Sequence, residues 1–129
     1  MKTRLLLALA ALSVAAGPAL AAPSPADAAM LKLATTSGCM TCHHVEPGGK
    51  GPDGLAPVGP AWRDVAARYR GVAGAQDQLT RTVMVGSNPY NSHWKGQASG
   101  LAMPPNAVAI TEADARQLVS WILALDAPK

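Results

Sequence analysis

The chain has 129 residues, enough for one small domain, and it carries a net charge of +3 with only two cysteines. Its positive charges form no cluster and match no recognition motif, which argues against nucleic acid as a partner. Aromatic residues make up 4% of the sequence and Phe is absent, so a domain this small is short of bulky core side chains. A buried cofactor would fill that deficit.

Residues 1–21 have the pattern of a cleaved export signal. Lys2 and Arg4 precede an apolar run that a Gly-Pro pair interrupts, and an A-x-A cleavage site ends at Ala21. The apolar run is short for a membrane span, and an uncleaved anchor is the alternative interpretation. We expect cleavage after Ala21 or the next residue. Residues 22–129 would then form the mature domain, with a net charge of +1 and no stable membrane insertion.

The first helix is predicted just after this segment. Ser24 and Asp27 have capping-box spacing, and Pro25 occupies the first helical position. Residues at helical spacing continue for about three turns, and Gly38 suits the stop. The same periodicity predicts three more helices: one that Pro60 opens and that covers residues 62–70, one over Ala75–Val85, and one that Thr111 caps and that runs to Leu125.

Two long segments lack helical periodicity. Residues 46–60 hold five Gly and four Pro among fifteen positions, and residues 86–109 are rich in Ser, Asn, Gly and Pro. No alternation typical of a β-strand reaches a useful length, so the predicted fold is all-α, with about four helices. Loops this long are unusual in a small domain. Packing against a cofactor would order them.

The segment Cys39-Met40-Thr41-Cys42-His43 has the C-x-x-C-H pattern of a c-type haem attachment site. Two thiols at this spacing can reach the two vinyl groups of one haem, and the imidazole that follows can bind the iron. The alternatives are a thioredoxin-like redox pair, half of a zinc site, or a disulfide. A redox pair needs a βαβ context, and a zinc site needs a second pair of ligands, which His44 and His93 do not supply at suitable spacing.

A haem bound by His43 also needs a ligand on its other face. Met103 is the strongest candidate, because Pro104 and Pro105 stiffen the loop that holds it. Methionines at helical spacing more often fill a core. The other candidates in the sequence are Met30, Met40, Met84, His44 and His93.

The segment Met103-Pro104-Pro105-Asn106 begins 60 residues after His43. Together with the C-x-x-C-H motif, it resembles the small bacterial class I cytochromes c. The stretch Val58-Gly59-Pro60-Ala61 and Trp121 in the last helix extend the resemblance over residues 26–125. This resemblance implies the cytochrome c fold, in which the helices pack around one covalently bound haem c per chain.

The resemblance also implies roles for seven residues. Cys39 and Cys42 match the thioether residues, His43 the proximal iron ligand, and Met103 the distal ligand. The other matches are Pro60, whose carbonyl would accept a hydrogen bond from the proximal imidazole, Trp94, which would bond a haem propionate, and Asn106, which would steady the methionine loop. Two loops, residues 45–58 and 88–101, are longer than in the family.

A His/Met ligand pair leaves no open position on the iron and favours its ferrous state through the soft sulfur. We therefore expect a one-electron carrier, not an enzyme. It would shuttle electrons in the periplasm between redox proteins such as a membrane reductase complex, a terminal oxidase or a dehydrogenase. The alternative is an electron-transfer subunit of a dehydrogenase or oxidase complex. A haem peroxidase or ligand sensor would require Met103 to be displaceable.

Overall fold

The computed structural model describes residues 23–126, and four α-helices form its regular structure. They are α1, Pro25–Thr36; α2, Trp62–Tyr69; α3, Ala75–Val85; and α4, Glu112–Ala124. Short 3-10 turns lie between them at Cys39–Thr41, Pro52–Gly54 and Pro89–Asn91. No strand forms within residues 23–126, and the predicted all-α fold is confirmed.

The predicted export signal lies outside the described residues and stays a prediction. Over the part of the chain that the structure describes, no helix is long and apolar enough to cross a membrane.

Side-chain hydrogen bonds from capping residues stabilise the first turns of α1 and α4. Ser24 Oγ accepts the Asp27 N–H at 3.1 Å, and the Asp27 carboxylate accepts the Ser24 N–H at 3.1 Å, which completes the predicted capping box. Thr111 Oγ1 likewise accepts the Asp114 N–H at 3.1 Å. These bonds satisfy amide groups that a first helical turn leaves free, so both helices begin where the sequence predicts.

Gly38 ends α1, as the sequence predicts. The helix ends at Thr36, and Gly38 has a φ of +75°, in the left-handed region that favours glycine. This turn redirects the chain into Cys39.

The prediction that Pro60 opens α2 is wrong. The helix begins at Trp62, and Ala61 is its N-cap, with an extended backbone. The Ala61 carbonyl accepts the first helical bond, from the Val65 N–H at 3.1 Å. The Pro60 carbonyl lies outside the helix and contacts His43 instead. The helix also ends at Tyr69, one residue before the predicted boundary.

The core is centred on α4, which packs against the other three helices. The ring of Trp121 meets that of Trp62 edge-on, with centroids 5.7 Å apart. The Trp121 indole N–H donates to Asp27 Oδ1 at 2.7 Å and so ties α4 to the start of α1. One cluster of buried residues forms the centre of this core: Ala34, Trp62, Val65, Ile110, Ala115, Leu118 and Ile122.

We predict that Asp27→Asn destabilises the protein at neutral pH. The hydrogen bonds from Trp121 and Ser24 hold the pKa of the Asp27 carboxyl below its ordinary value. The carboxylate therefore contributes stability above its unfolded pKa of about 3.9, and that contribution is lost as the pH falls through the lower folded pKa. In guanidinium chloride titrations, the variant midpoint should lie below wild type at pH 7.

The same titrations in acid complete this test. The wild-type and Asp27→Asn midpoints should converge once the wild-type carboxyl is protonated. Asp53→Asn, at an exposed loop position, is the control and should leave the midpoint unchanged. A difference for Asp27→Asn that persists in strong acid would show that charge is not its cause.

We also predict that Thr80→Val stabilises the protein. Thr80 is 2% exposed, and among the described residues its Oγ1 is the one buried side-chain polar atom without a hydrogen-bond partner. Replacing it with a methyl group of similar shape should raise the free energy of unfolding by about 1–2 kcal/mol. Thermal unfolding measures the gain. Thr35→Val is the control, because its exposed hydroxyl already donates to the Leu31 carbonyl at 2.8 Å. A loss of stability in Thr80→Val would contradict the prediction.

Candidate haem site

One tight turn positions the C-x-x-C-H motif. The Cys39 carbonyl accepts the N–H of Cys42 at 3.3 Å and that of His43 at 3.1 Å. Both thiols are free and half-buried. Burial raises the pKa of the Cys39 thiol, which therefore stays protonated at neutral pH. The turn presents two thiols and one imidazole to the same cavity.

The His43 imidazole is held in one orientation and one protonation state. Its Nδ1 lies 2.8 Å from the Pro60 carbonyl oxygen. A carbonyl only accepts, so Nδ1 carries the hydrogen and Nε2 keeps a free lone pair. Burial lowers the pKa of His43 below its ordinary value, although the Pro60 contact opposes that shift, so the ring is neutral at pH 7. A neutral imidazole with one nitrogen fixed by a carbonyl is the form that binds metals.

Close packing against Trp62 and Gly59 restrains the plane of the His43 ring. Trp62 stacks on it at a centroid distance of 5.9 Å and an interplanar angle of 24°. Gly59 lies so near that a Cβ there would stand 2.6 Å from His43 Cε1. The Gly59 N–H also donates to the Cys42 carbonyl at 2.7 Å, which joins this loop to the attachment turn. A side chain at position 59 would therefore displace the imidazole.

The cavity in front of His43 measures about 450 Å³. This volume lies within the roughly 300–1,000 Å³ typical of small-molecule and cofactor sites. Apolar side chains from three helices form part of its wall, among them Val65 of α2, Val83 of α3 and Leu118 of α4. Six of the seven residues predicted from sequence also line it: Cys39, Cys42, His43, Pro60, Trp94 and Met103. Two thiols, a neutral imidazole and a thioether around an apolar cavity form a donor set that fits a haem.

The backbone of Met103 is fixed by the end of α3. Its N–H donates to Ser87 Oγ at 2.8 Å, and its carbonyl accepts the Ser87 N–H at 2.9 Å. Gly86 has a φ of +86°, and a Cβ there would lie 2.9 Å from the Met103 carbonyl oxygen. Glycine at position 86 thus lets the methionine loop approach α3 closely.

Asn106 lies outside the cavity wall and supports the loop from behind. Its Nδ2 donates to the Pro104 carbonyl at 2.6 Å, and its N–H donates to the Val83 carbonyl at 3.0 Å. The Asn106 side chain therefore bonds back across the two prolines that follow Met103, and the Asn106 backbone anchors this segment to α3.

The other candidate iron ligands differ in whether they line the haem cavity. Three methionines pack against the helical core: Met30, Met40 and Met84. His44 lines a smaller cavity of about 250 Å³ near the start of α2. His93, however, lines the same cavity as Met103, with its ring edge-on to Tyr69 at 6.5 Å. The geometry therefore brings one methionine and one further histidine to the cavity that His43 faces.

The two long loops bind each other at the cavity edge. The Ser99 N–H donates to the Pro57 carbonyl at 2.9 Å, and the Gly100 N–H donates to the Val58 carbonyl at 3.0 Å. Trp94 lies in the second loop, and the Arg68 guanidinium stands 5.8 Å from the centre of its ring. Residues 45–58 and 88–101 thus support one another.

Four residues that position this site were assigned no role from the sequence: Gly59, Arg68, Gly86 and Ser87. The glycines are needed because of close approaches between distant segments, which no local pattern reveals. Ser87 is 16 residues from the amide that it holds.

The sequence model of the family described as cytochrome c matches residues 31–126, which is more than half of the chain. The chain belongs to the cytochrome c family. Cytochrome c-551 of Allochromatium vinosum is 45% identical over 102 residues, covering 79% of this chain and 92% of that protein. Cytochrome c-551 of Pseudomonas aeruginosa is 35% identical over 91 residues, covering 70% and 71% respectively. A crystal structure of Nitrosomonas europaea cytochrome c552 superposes with a TM-score of 0.58 at 34% identity, covering 74% of this chain and 99% of that one.

Membership of the cytochrome c family confirms three predictions. The chain is a small class I monohaem c-type cytochrome, its cofactor is covalently bound haem c, and its relatives transfer electrons rather than act as enzymes. Its two cysteines suit covalent attachment of that haem.

We predict that Gly59→Ala disrupts the haem site. The added Cβ would displace the His43 ring from the Pro60 carbonyl, because its nearest ring atom would stand only 2.6 Å away. We expect a weakened low-spin absorption spectrum and a loss of about 1–3 kcal/mol of stability from overpacking.

Gly49→Ala is the matched control for this substitution. A Cβ at position 49 would stand 2.6 Å from the ring of His44, which lies outside the haem cavity. It should cost similar stability and leave the absorption spectrum intact. Equal spectra for the two variants would contradict the role that we assign to the His43 orientation.

Proposed function

We propose that residues 22–129 form a mature periplasmic electron shuttle whose haem iron is bound by His43 and Met103. Thioethers at Cys39 and Cys42 would attach the haem. The observation that carries this proposal is the cavity wall that the motif and Met103 share, together with the anchoring of Met103 to Ser87.

The residues of the chain prepare both sides of the site. The bound haem supplies a one-electron iron couple. His43 offers a neutral Nε2, and its bond to Pro60 restrains ring rotation and raises the basicity of the ligand. Met103 offers a soft thioether on a backbone that two hydrogen bonds and two following prolines stiffen. Because both ligands are already held in place, electron gain and loss require little rearrangement of the chain.

The remaining site residues have supporting roles in this proposal. Asn106 would steady the methionine loop through the Pro104 carbonyl, which it already contacts. Trp94 would donate its indole N–H to a haem propionate, since it lines the cavity and has a guanidinium beside its ring.

The export pattern in residues 1–21 supports the periplasm as the location, with cleavage after Ala21. The partners would be redox proteins, such as a membrane reductase complex, a terminal oxidase or a dehydrogenase. A free shuttle and a tightly held subunit of such a complex differ in one observable property. When the periplasmic fraction is run on size-exclusion chromatography, a shuttle should elute as a small monomer. A subunit should elute together with the dehydrogenase or oxidase that holds it.

A second pair of iron ligands, His43 and His93, is supported by one observation: His93 also lines the haem cavity. Binding of the iron by two histidines would still give an electron carrier, with a lower reduction potential than a His/Met pair. Met103 is preferred because backbone bonds fix it beside α3, whereas the ring of His93 is exposed and rests on Tyr69.

We predict that Met103→Ala keeps its covalent haem but lowers the reduction potential. Loss of the soft sulfur removes the preference for ferrous iron and opens a position to added ligands such as carbon monoxide. Potentiometric titration measures the potential, and the sulfur-to-iron absorption band reports the ligand.

Two control variants distinguish the alternatives. Met84→Ala removes a partly buried methionine that packs against the core, so it should cost about 0.5–3 kcal/mol of stability without changing the band. His93→Ala should also leave the band in place. A band that survives in Met103→Ala, or an absence of the band in wild type with a change in His93→Ala, would overturn His/Met ligation.

A further inference from the structure

Three aromatic rings form a continuous chain from the haem cavity to the outside of the helical core. The His43 ring stacks on Trp62 at 5.9 Å, and Trp62 meets Trp121 edge-on at 5.7 Å. The chain ends at Asp27, whose Oδ1 accepts the Trp121 indole N–H at 2.7 Å.

The two indoles lie at different depths. Trp62 is 4% exposed and lines the haem cavity beside His43. Trp121 is half-buried in α4, lies outside the cavity wall, and reaches the first turn of α1 through Asp27. The rings therefore link the cavity to a part of the surface where α1 meets α4.

The spacing of these rings also suits electron transfer. An electron crosses a protein fastest where the steps between oxidisable groups are short, and indole is among the side chains that lose an electron most easily. Each step here is a contact between neighbouring rings. The Asp27 carboxylate places a negative charge beside the indole N–H that it accepts. This charge stabilises the oxidised, positively charged indole, so Trp121 is easier to oxidise.

We propose that His43, Trp62 and Trp121 form a second electron-transfer route, between the haem iron and the surface where α1 meets α4. The inference rests on the proposed binding of iron by His43. The oxidant at this surface must be a one-electron oxidant strong enough to oxidise indole, such as an oxidising radical. It is reduced by the electron that leaves Trp121, and ferrous iron finally supplies that electron.

A ruthenium photosensitiser attached near Trp121 tests the route. Gln117 is exposed and lies one turn before Trp121 in α4, so Gln117→His provides the attachment site. His93→Gln in every protein removes an exposed native histidine that would compete for the label. Val108, which is 99% exposed in an irregular segment, provides the control site as Val108→His.

The light-driven reaction moves one electron at a time between the quencher, the ruthenium label, the two indoles and the iron. A soluble quencher oxidises the excited ruthenium(II) label to ruthenium(III), which then takes one electron from Trp121. Trp62 refills Trp121, and one electron from ferrous iron, through His43, refills Trp62. The net change is one electron moved from iron to the quencher, with the ruthenium(II) label and both indoles restored.

Trp62→Phe and Trp121→Phe interrupt the route while keeping an aromatic ring in the core. From the label at position 117, we expect each variant to slow iron oxidation by an order of magnitude or more. From the label at position 108, both variants should leave the rate unchanged. Unchanged rates at position 117, or equal slowing from both labels, would overturn the proposal.

Measurements on unlabelled protein distinguish a failure of the electron route from a failure of the proposed binding of iron by His43 and Met103. If Met103 and His43 bind the iron, Trp121→Phe, whose ring lies outside the cavity wall, should keep the sulfur-to-iron band and the reduction potential of wild type. Rates from position 117 that do not change while the band is normal would reject the route and leave the ligation standing. A missing band in the wild-type protein would reject the ligation itself.

Discussion

The hydrogen bond between His43 Nδ1 and the Pro60 carbonyl, 2.8 Å long, connects most parts of this structure. It selects the tautomer that leaves Nε2 free, and it holds the Pro60 carbonyl outside α2, so the helix begins two residues later. Gly59 permits the contact because a larger residue would strike the imidazole. Trp62, the first residue of α2, then stacks on the ring that the bond has oriented. One backbone carbonyl therefore sets both the start of a helix and the geometry of a metal ligand.

The opposite wall of the cavity depends on a different kind of contact. Met103 belongs to an irregular segment, yet its backbone pairs with Ser87 just after α3. This explains how a domain this small accommodates two long loops. Each loop contacts a helix or the other loop through backbone hydrogen bonds, so both are ordered without regular structure of their own. Residues 45–58 and 88–101 meet at the cavity edge through backbone hydrogen bonds.

The core has few large side chains, and the haem of a cytochrome c supplies the missing bulk. Trp62 and Trp121 are the exceptions, and they lie together where α1, α2 and α4 meet. Their contact has two consequences. It joins three helices through one pair of rings, and it places oxidisable groups in a line with the proximal histidine. The same packing thus supports the fold and suggests a path for electrons.

The sequence alone determined the helix count, the all-α class and the resemblance to the cytochrome c family. Helical periodicity and capping residues act over a few positions, so Ser24, Asp27 and Thr111 marked helix starts correctly. The C-x-x-C-H motif and the Met-Pro-Pro segment are also local, because their chemistry depends on adjacent residues. Pro60 was misplaced as a helix start, since proline suits that position in general and only a contact 17 residues away moves it out of the helix.

Tertiary structure decided which residues surround the cavity and how each is held. The sequence offered six methionine and histidine candidates and favoured Met103 because two prolines follow it. Helix packing sends Met30, Met40 and Met84 toward the core, and loop docking brings Met103 and His93 to the cavity. The roles of Gly59, Gly86 and Ser87 depend on segments that approach within van der Waals distance only after folding. Such approaches leave no local sequence pattern, because their cause is the position of a distant backbone.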